Sequence, residues 1–243
     1  MQEEISNQIT ELQNTHQGLS HVTEKDGEII VSGSLPFEAS ADGFETITSA
    51  FDIELIIPFD YPKNLPRAYE ASGEIACEYE HVFDDKKLCL AVPIEERLIF
   101  HQEPTLFGFV NRLLVPYLYG YCYWRKYKIH PFDESAHGTK GIVQYYCDKL
   151  KLDNEISVLA IISFLYEHGY RGHHLCPCGS GIKVRNCHGN TLREVINLHT
   201  EDTLRNDFVT VLSFYLGKLE QNEILLTDTL LRQARRIVKN KKL

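Results

Sequence analysis

Four side chains that favour soft and borderline metal ions fall within thirteen residues: Cys176-Pro-Cys178-Gly-Ser-Gly-Ile-Lys-Val-Arg-Asn-Cys187-His188. This C-x-C-x8-C-H run constrains the fold more than any other feature. A Cys3His set meets the tetrahedral preference of zinc and leaves no open position for catalysis. Gly179 and Gly181 let the chain turn tightly after the first ligand pair. A redox C-x-C pair would leave the second Cys-His pair without a purpose, and plain core burial would leave the glycines without one. The residues therefore predict a structural Zn2+ held by Cys176, Cys178, Cys187 and His188. His173 and His174 stand close enough in sequence to compete as ligands.

The other cysteines need a compartment before they can be read. The start, Met1-Gln-Glu-Glu-Ile5, lacks the basic and apolar regions of a signal peptide. No apolar run approaches the roughly 18 residues of a membrane span, and Val158 to Tyr166 is among the longest. A cytoplasmic protein is expected, so the seven cysteines serve chemistry or the core and not a disulfide framework. Charge is unevenly spread within a net of −9. Residues 1–150 hold 12 basic and 24 acidic side chains; residues 151–243 hold 13 and 10. The acidic front argues against a nucleic-acid surface there. Six basic residues between Arg232 and Leu243 leave the rear open to one, or simply complement a helix C-terminus.

Periodicity gives an order of elements. Ile5, Ile9, Leu12 and Leu19 suit an amphipathic helix over residues 3–20. Asp26-Gly27 makes a turn, Glu28 to Pro36 and Glu45 to Pro58 alternate as strands, and a short strand is expected near Ala68 to Ser72. Glu74 to Pro93 has no sustained period and reads as a structured loop. Leu106 to Arg125 is helical in spacing, with Pro116 expected to kink it or end its first half. Further helices follow at Ile142 to Leu150, Ile156 to His168 and from Leu192 towards Val238. The class is α+β, an antiparallel meander flanked by helices. A boundary near Lys151 to Asn154 would divide a front domain, 1–150, from a helical rear, 151–243, that carries the metal segment 176–188.

The rear motif resembles the SEC-C motif, a small zinc module, in all four ligand positions, the Gly-Ser-Gly turn and Lys183. That resemblance implies a docking or binding module. In the front half, Tyr61-Pro62-Lys-Asn-Leu-Pro66 is followed by His81 and then by Leu88-Cys89-Leu90. With the opening helix, the meander and the later long helix, this resembles ubiquitin-conjugating enzymes over about residues 1–150. Val82 and Phe83 replace the proline and asparagine of that family's His-Pro-Asn loop. The chain is more similar to the bacterial members, in which the asparagine is typically absent and a His-Gly element follows the second helix, here His137-Gly138. Several of those also end in a SEC-C module.

The resemblance implies a ubiquitin-conjugating-like fold and a thioester transferase with Cys89 as nucleophile. His81 and His137 would orient the loop, stabilise an oxyanion or accept a proton, though His81 could be purely structural and His137 a helix cap. The bacterial proteins act in cyclic-oligonucleotide antiphage signalling (CBASS), with the C-terminus of a cGAS-like nucleotidyltransferase as partner and a lysine on another protein as a possible acceptor. No P-loop and no GxGxxG fingerprint supplies carboxylate activation. The rival expectation is a non-catalytic adaptor using the same groove and zinc module; a third is a nucleic-acid binder built on the zinc module and basic tail. Asp84 and Asp85 read as a solvated turn, and Cys77, Cys122 and Cys147 as core or incidental thiols.

Overall fold

The computed structural model describes residues 2–75, 79–131, 138–152 and 155–220. The chain divides into two compact units, Met1–Glu134 and Ser135–Leu243. The first is α+β: helix α1 (Gln2–Thr15), strands β1 (His21–Lys25), β2 (Glu28–Ala39), β3 (Ile47–Ile57) and β4 (Arg67–Glu70), then helical segments α2 (Pro93–Gln102), α3 (Leu106–Phe109) and α4 (Val115–Tyr127). The strands form one antiparallel sheet in sequence order.

Alternation places this sheet. Phe51, Ile53, Leu55 and Ile57 are buried at every second position of β3, opposite Leu35 and Val31 of β2, because successive side chains take opposite faces. Helix α4 packs against β2 and β3, and α1, packed on α3, adds Ile5, Ile9 and Leu12 to the same buried core. Gly18 and Gly33 let the chain after α1 cross β2 at close range: a Cβ on Gly33 would stand 2.0 Å from the Gly18 carbonyl oxygen, and its φ of +145° also disfavours a side chain. The expected turn at Asp26-Gly27 is present, with both residues at positive φ and Lys25 paired to Glu28.

Two elements were not expected from the sequence. All five residues of β1 are exposed, so this edge strand carries no apolar alternation to announce it. Helix α2 begins at Pro93, which reads as a turn residue but suits the first helical position. Pro116 stands in the first turn of α4, where its missing amide is tolerated, directly after an irregular stretch of the helical run. A π-helical turn (Val110–Leu114) joins α3 to α4, with the Val115 N–H donating to the Val110 carbonyl.

Three tyrosine hydroxyls on α4 tie separate loops to the helix. Tyr117 donates to the His81 carbonyl at 3.0 Å, Tyr119 to that of Glu45 at 2.9 Å and Tyr121 to that of Glu74 at 2.8 Å. The loops thus sit over the sheet core while their backbone acceptors stay satisfied.

The second unit contains α5 (Gly138–Leu150), α6 (Glu155–His168), α7 (Gly189–Leu198) and α8 (Glu201–Glu220). Val158, Leu159, Ile161, Ile162 and Leu165 of α6 are buried, as are Phe208, Val211 and Leu212 of α8. Asp207, 2% exposed, accepts from Tyr146 of α5 at 2.9 Å and lies 3.0 Å from His199 Nε2. The basic tail from Arg232 lies outside the described residues. Among the described residues no helix is long and apolar enough to cross a membrane.

Candidate functional site

Cys89 ends a small hairpin between β4 and α2. The Phe83 N–H donates to the Lys87 carbonyl at 2.9 Å, Val82 bridges Leu88, and the Leu88 N–H donates to Ala68 of β4 at 2.9 Å. Leu88 is buried, which pins the hairpin to the sheet and leaves Cys89 half-buried beside it. The Cys89 N–H then donates to the His81 carbonyl at 2.8 Å, the same oxygen that Tyr117 reaches from α4. The thiol is thus fixed from its backbone by a strand on one side and a helix on the other.

Burial pushes the Cys89 thiol up to about 11; Glu96 adds to the rise and Lys87 opposes it. At pH 7 a thiol of that pKa is about one part in ten thousand thiolate. Glu96 stands in the first turn of α2, half-buried. Burial raises its carboxyl to about 7, against the pull of Lys87, the Ala91 N–H and Arg97. The Glu96 carboxylate therefore acts on the thiol across one loop. Sequence reading missed Glu96, because neither its burial nor its proximity to Cys89 leaves a mark in the local pattern.

The His81 ring packs in an aromatic group, 4.8 Å between centroids from Tyr79, 5.5 Å from His130 and 6.3 Å from Tyr117. Its carbonyl, not its imidazole, meets the Cys89 backbone. His130 is a second imidazole brought to this place that sequence reading did not single out. His137 and Cys77 lie outside the described residues. Asp84 and Asp85 are exposed, and an Asp85 oxygen accepts the Lys87 N–H at 3.1 Å. Cys122 is buried and Cys147 half-buried.

The four residues of the C-x-C-x8-C-H run converge. One ligand atom from each of Cys176, Cys178, Cys187 and His188 lies within 4.8 Å of all the others. Cys176 Sγ and Cys187 Sγ stand 3.3 Å and 3.2 Å from His188 Nδ1, and Cys178 Sγ stands 3.6 Å from Cys187 Sγ. The local chain explains this. Leu175 bridges Lys183, the Cys176 N–H donates to Ile182 at 2.7 Å, and Gly179 and Gly181 turn the loop at φ of 85° and 72°. A 3-10 turn at Val184–Asn186 then lifts Cys187 and His188 onto the start of α7.

His188 Nε2 lies 2.9 Å from the Leu150 carbonyl at the end of α5. A proton held on Nε2 for that bond leaves the Nδ1 lone pair free towards the thiols, which is the tautomer a metal ligand requires. The cluster could hold a metal ion, with its histidine oriented by the neighbouring helix.

Family models, curated proteins and solved structures were each compared with the chain, and none matches it.

Proposed function

We propose that the chain is a prokaryotic ubiquitin-conjugating-like enzyme that carries an acyl group on Cys89. The observation that carries this reading is the placement of Cys89: half-buried, clamped by its own N–H to the His81 carbonyl, and immediately ahead of α2 with its titratable Glu96. The α1–meander–helix order of the first unit agrees with a ubiquitin-conjugating-like fold. In the loading step the Cys89 thiol gives its proton to a base as its sulfur adds to the activated carbonyl carbon of a partner's C-terminal residue. The tetrahedral oxyanion collapses, the bond to the activating group breaks, and a thioester remains. An incoming lysine amine then attacks that carbonyl, the C–S bond breaks, and the amine's proton passes to a base while sulfur leaves. Glu96, with a pKa near operating pH, is suited to accept that proton. His81 holds the loop through its carbonyl, and His137 is assigned support of the oxyanion.

The high thiol pKa has two consequences. It slows loading, since little thiolate is present, and it makes sulfur a poorer leaving group, so a loaded thioester resists loss to water. A nearby base offsets the first effect. The partner in this reading is the C-terminus of a cGAS-like nucleotidyltransferase in CBASS antiphage defence, in the cytoplasm, and activation of the carboxylate comes from a separate protein.

The Cys3His cluster is read as a structural zinc site. Tetrahedral Zn–S and Zn–N bonds require S···S and S···N edges of about 3.8 and 3.6 Å. The observed 3.2–3.6 Å separations fit this after slight expansion. The ion would lock the hairpin to α7 and, through His188, to α5.

A non-catalytic adaptor is the second reading, and the thiol raised to about 11 favours it. Antiphage protection by the co-expressed system separates the two. Protection lost with Cys89→Ala supports the enzyme; full protection by Cys89→Ala supports the adaptor.

A further inference from the structure

Lys87 stands two residues before Cys89 in the hairpin that carries the thiol. The ladder there is regular: the Phe83 N–H donates to the Lys87 carbonyl, Val82 bridges Leu88, and the Cys89 N–H donates to the His81 carbonyl. Tyr69 of β4 bridges Lys87 from the other side. An extended chain sends successive side chains to opposite faces. Leu88 is buried and Val82 packs against the same core, so Phe83, Lys87 and Cys89 share the opposite face.

The side chains agree with this placement. Lys87 Nζ lies 4.3 Å from the centroid of the Phe83 ring, across the ladder. Lys87 and Cys89 are both half-buried. The charge on Lys87 lowers the Cys89 thiol and the Glu96 carboxyl alike, although burial outweighs it at both. The amine therefore lies within electrostatic reach of a nucleophile and a carboxyl at once.

Reach decides what this arrangement can do. Residues two apart on a strand have Cα atoms about 6.7 Å apart. Lysine carries its amine on a flexible four-carbon stem of comparable length. An acyl group on the Cys89 sulfur would stand on the same face as that amine. A tethered amine attacks without the entropy cost of capturing a separate acceptor, which the lysine of another protein has to meet.

We propose that Lys87 is a self-acylation site, to which a group carried on Cys89 passes when no other amine is bound. This rests on the acyl-carrier reading of Cys89. The Lys87 ammonium gives one proton to Glu96 or to water, and its nitrogen lone pair adds to the thioester carbonyl carbon. The C–N bond forms, the C–S bond breaks, and the second proton leaving nitrogen goes to the departing sulfur. An amide on Lys87 and a free Cys89 thiol remain. The amide carries no charge, so its pull on the thiol is lost and the modified chain reloads more slowly.

S-phenyl thioacetate incubated with the full-length, zinc-loaded protein tests this, read by peptide mass spectrometry before and after dithiothreitol. Acetyl on Cys89 is removed by the thiol, and acetyl on Lys87 is not. Lys87 should be labelled at least about tenfold faster than Lys86 in the adjoining turn, and in Cys89→Ala it should fall to the Lys86 rate. Lys87→Arg keeps the cation and removes the nucleophile, so the Cys89 thioester should last several-fold longer. Equal Lys87 labelling in wild type and Cys89→Ala, or an unchanged thioester lifetime in Lys87→Arg, would overturn the inference and leave the acyl carrier standing. A Cys89 that reacts with iodoacetamide but takes no acetyl group would overturn the acyl-carrier reading, and the inference with it.

Discussion

The backbone N–H of Cys89 donates to the carbonyl oxygen of His81 at 2.8 Å. This bond joins the two residues that the proposed chemistry needs most, and it does so without using either side chain. The His81 imidazole packs with Tyr79 and His130, and the Cys89 side chain stays half-buried. Tyr117 shares the same acceptor at 3.0 Å, so one carbonyl couples the loop to α4.

Tyr117→Phe tests that coupling. The His81 carbonyl keeps the Cys89 N–H and loses the phenol, a cost of about 0.5–1.5 kcal/mol. A urea denaturation midpoint should fall with its slope unchanged. An unchanged midpoint would mean that the phenol contributes nothing to holding the loop.

Glu96 carries a prediction with a pH signature. Its folded pKa of about 7 lies above the ordinary carboxyl range, so its folded state holds a proton that the unfolded state releases. Its contribution to stability is therefore full below about pH 4.3 and is lost as pH rises through about 7. Glu96→Gln should flatten that decline. It should also speed Cys89 alkylation several-fold at pH 8, where the lost charge was raising the thiol pKa, and change it little at pH 5.5. Acyl transfer should fall in the same variant. Slower alkylation at pH 8 would contradict the assigned electrostatics.

Metal removal should act on the second unit. Chelation should release one zinc per chain and lower the melting temperature, because ligand convergence and hairpin closure depend on each other. His188→Ala removes a ligand and the 2.9 Å contact to Leu150 together, and should cost at least as much as Cys178→Ser. Zinc content by plasma mass spectrometry and a thermal melt check both; a melt indifferent to chelation would contradict the structural role.

Asp207 is shared by Tyr146 and His199 inside the second unit. Asp207→Ala removes the carboxylate that both partners reach and leaves Tyr146 and His199 only their mutual 2.8 Å contact, and should destabilise by about 1.5–3 kcal/mol. Tyr146→Phe, which leaves the Asp207–His199 pair intact, should cost less, about 0.5–1.5 kcal/mol. Equilibrium denaturation of the two variants gives the order.

What the sequence made legible follows the reach of each signal. Strands β2 and β3 bury one face and so alternate visibly from Val31 to Leu35 and from Phe51 to Ile57. The ligands from Cys176 to His188 are local, so their convergence was foreseeable from spacing and two glycines. Strand β1 buries nothing and left no pattern. Helix α2 buries only Ile94 and Phe100, too few to mark a stripe, and its opening proline disguised it. Tertiary partners were invisible: the Leu150 carbonyl lies 38 residues from His188, and Glu96 gains its character from burial beside Cys89.

Intact mass spectrometry of the protein incubated with an activating enzyme and the cGAS-like nucleotidyltransferase tests the central claim most directly. The account predicts a covalent adduct joining the two chains that is cleaved by dithiothreitol, absent from Cys89→Ala, and replaced in Cys89→Ser by an ester that survives the thiol. An adduct that persists in Cys89→Ala would contradict the assignment of the nucleophile. No adduct with either protein, under conditions where the activating enzyme is itself charged, would contradict the acyl-transfer function.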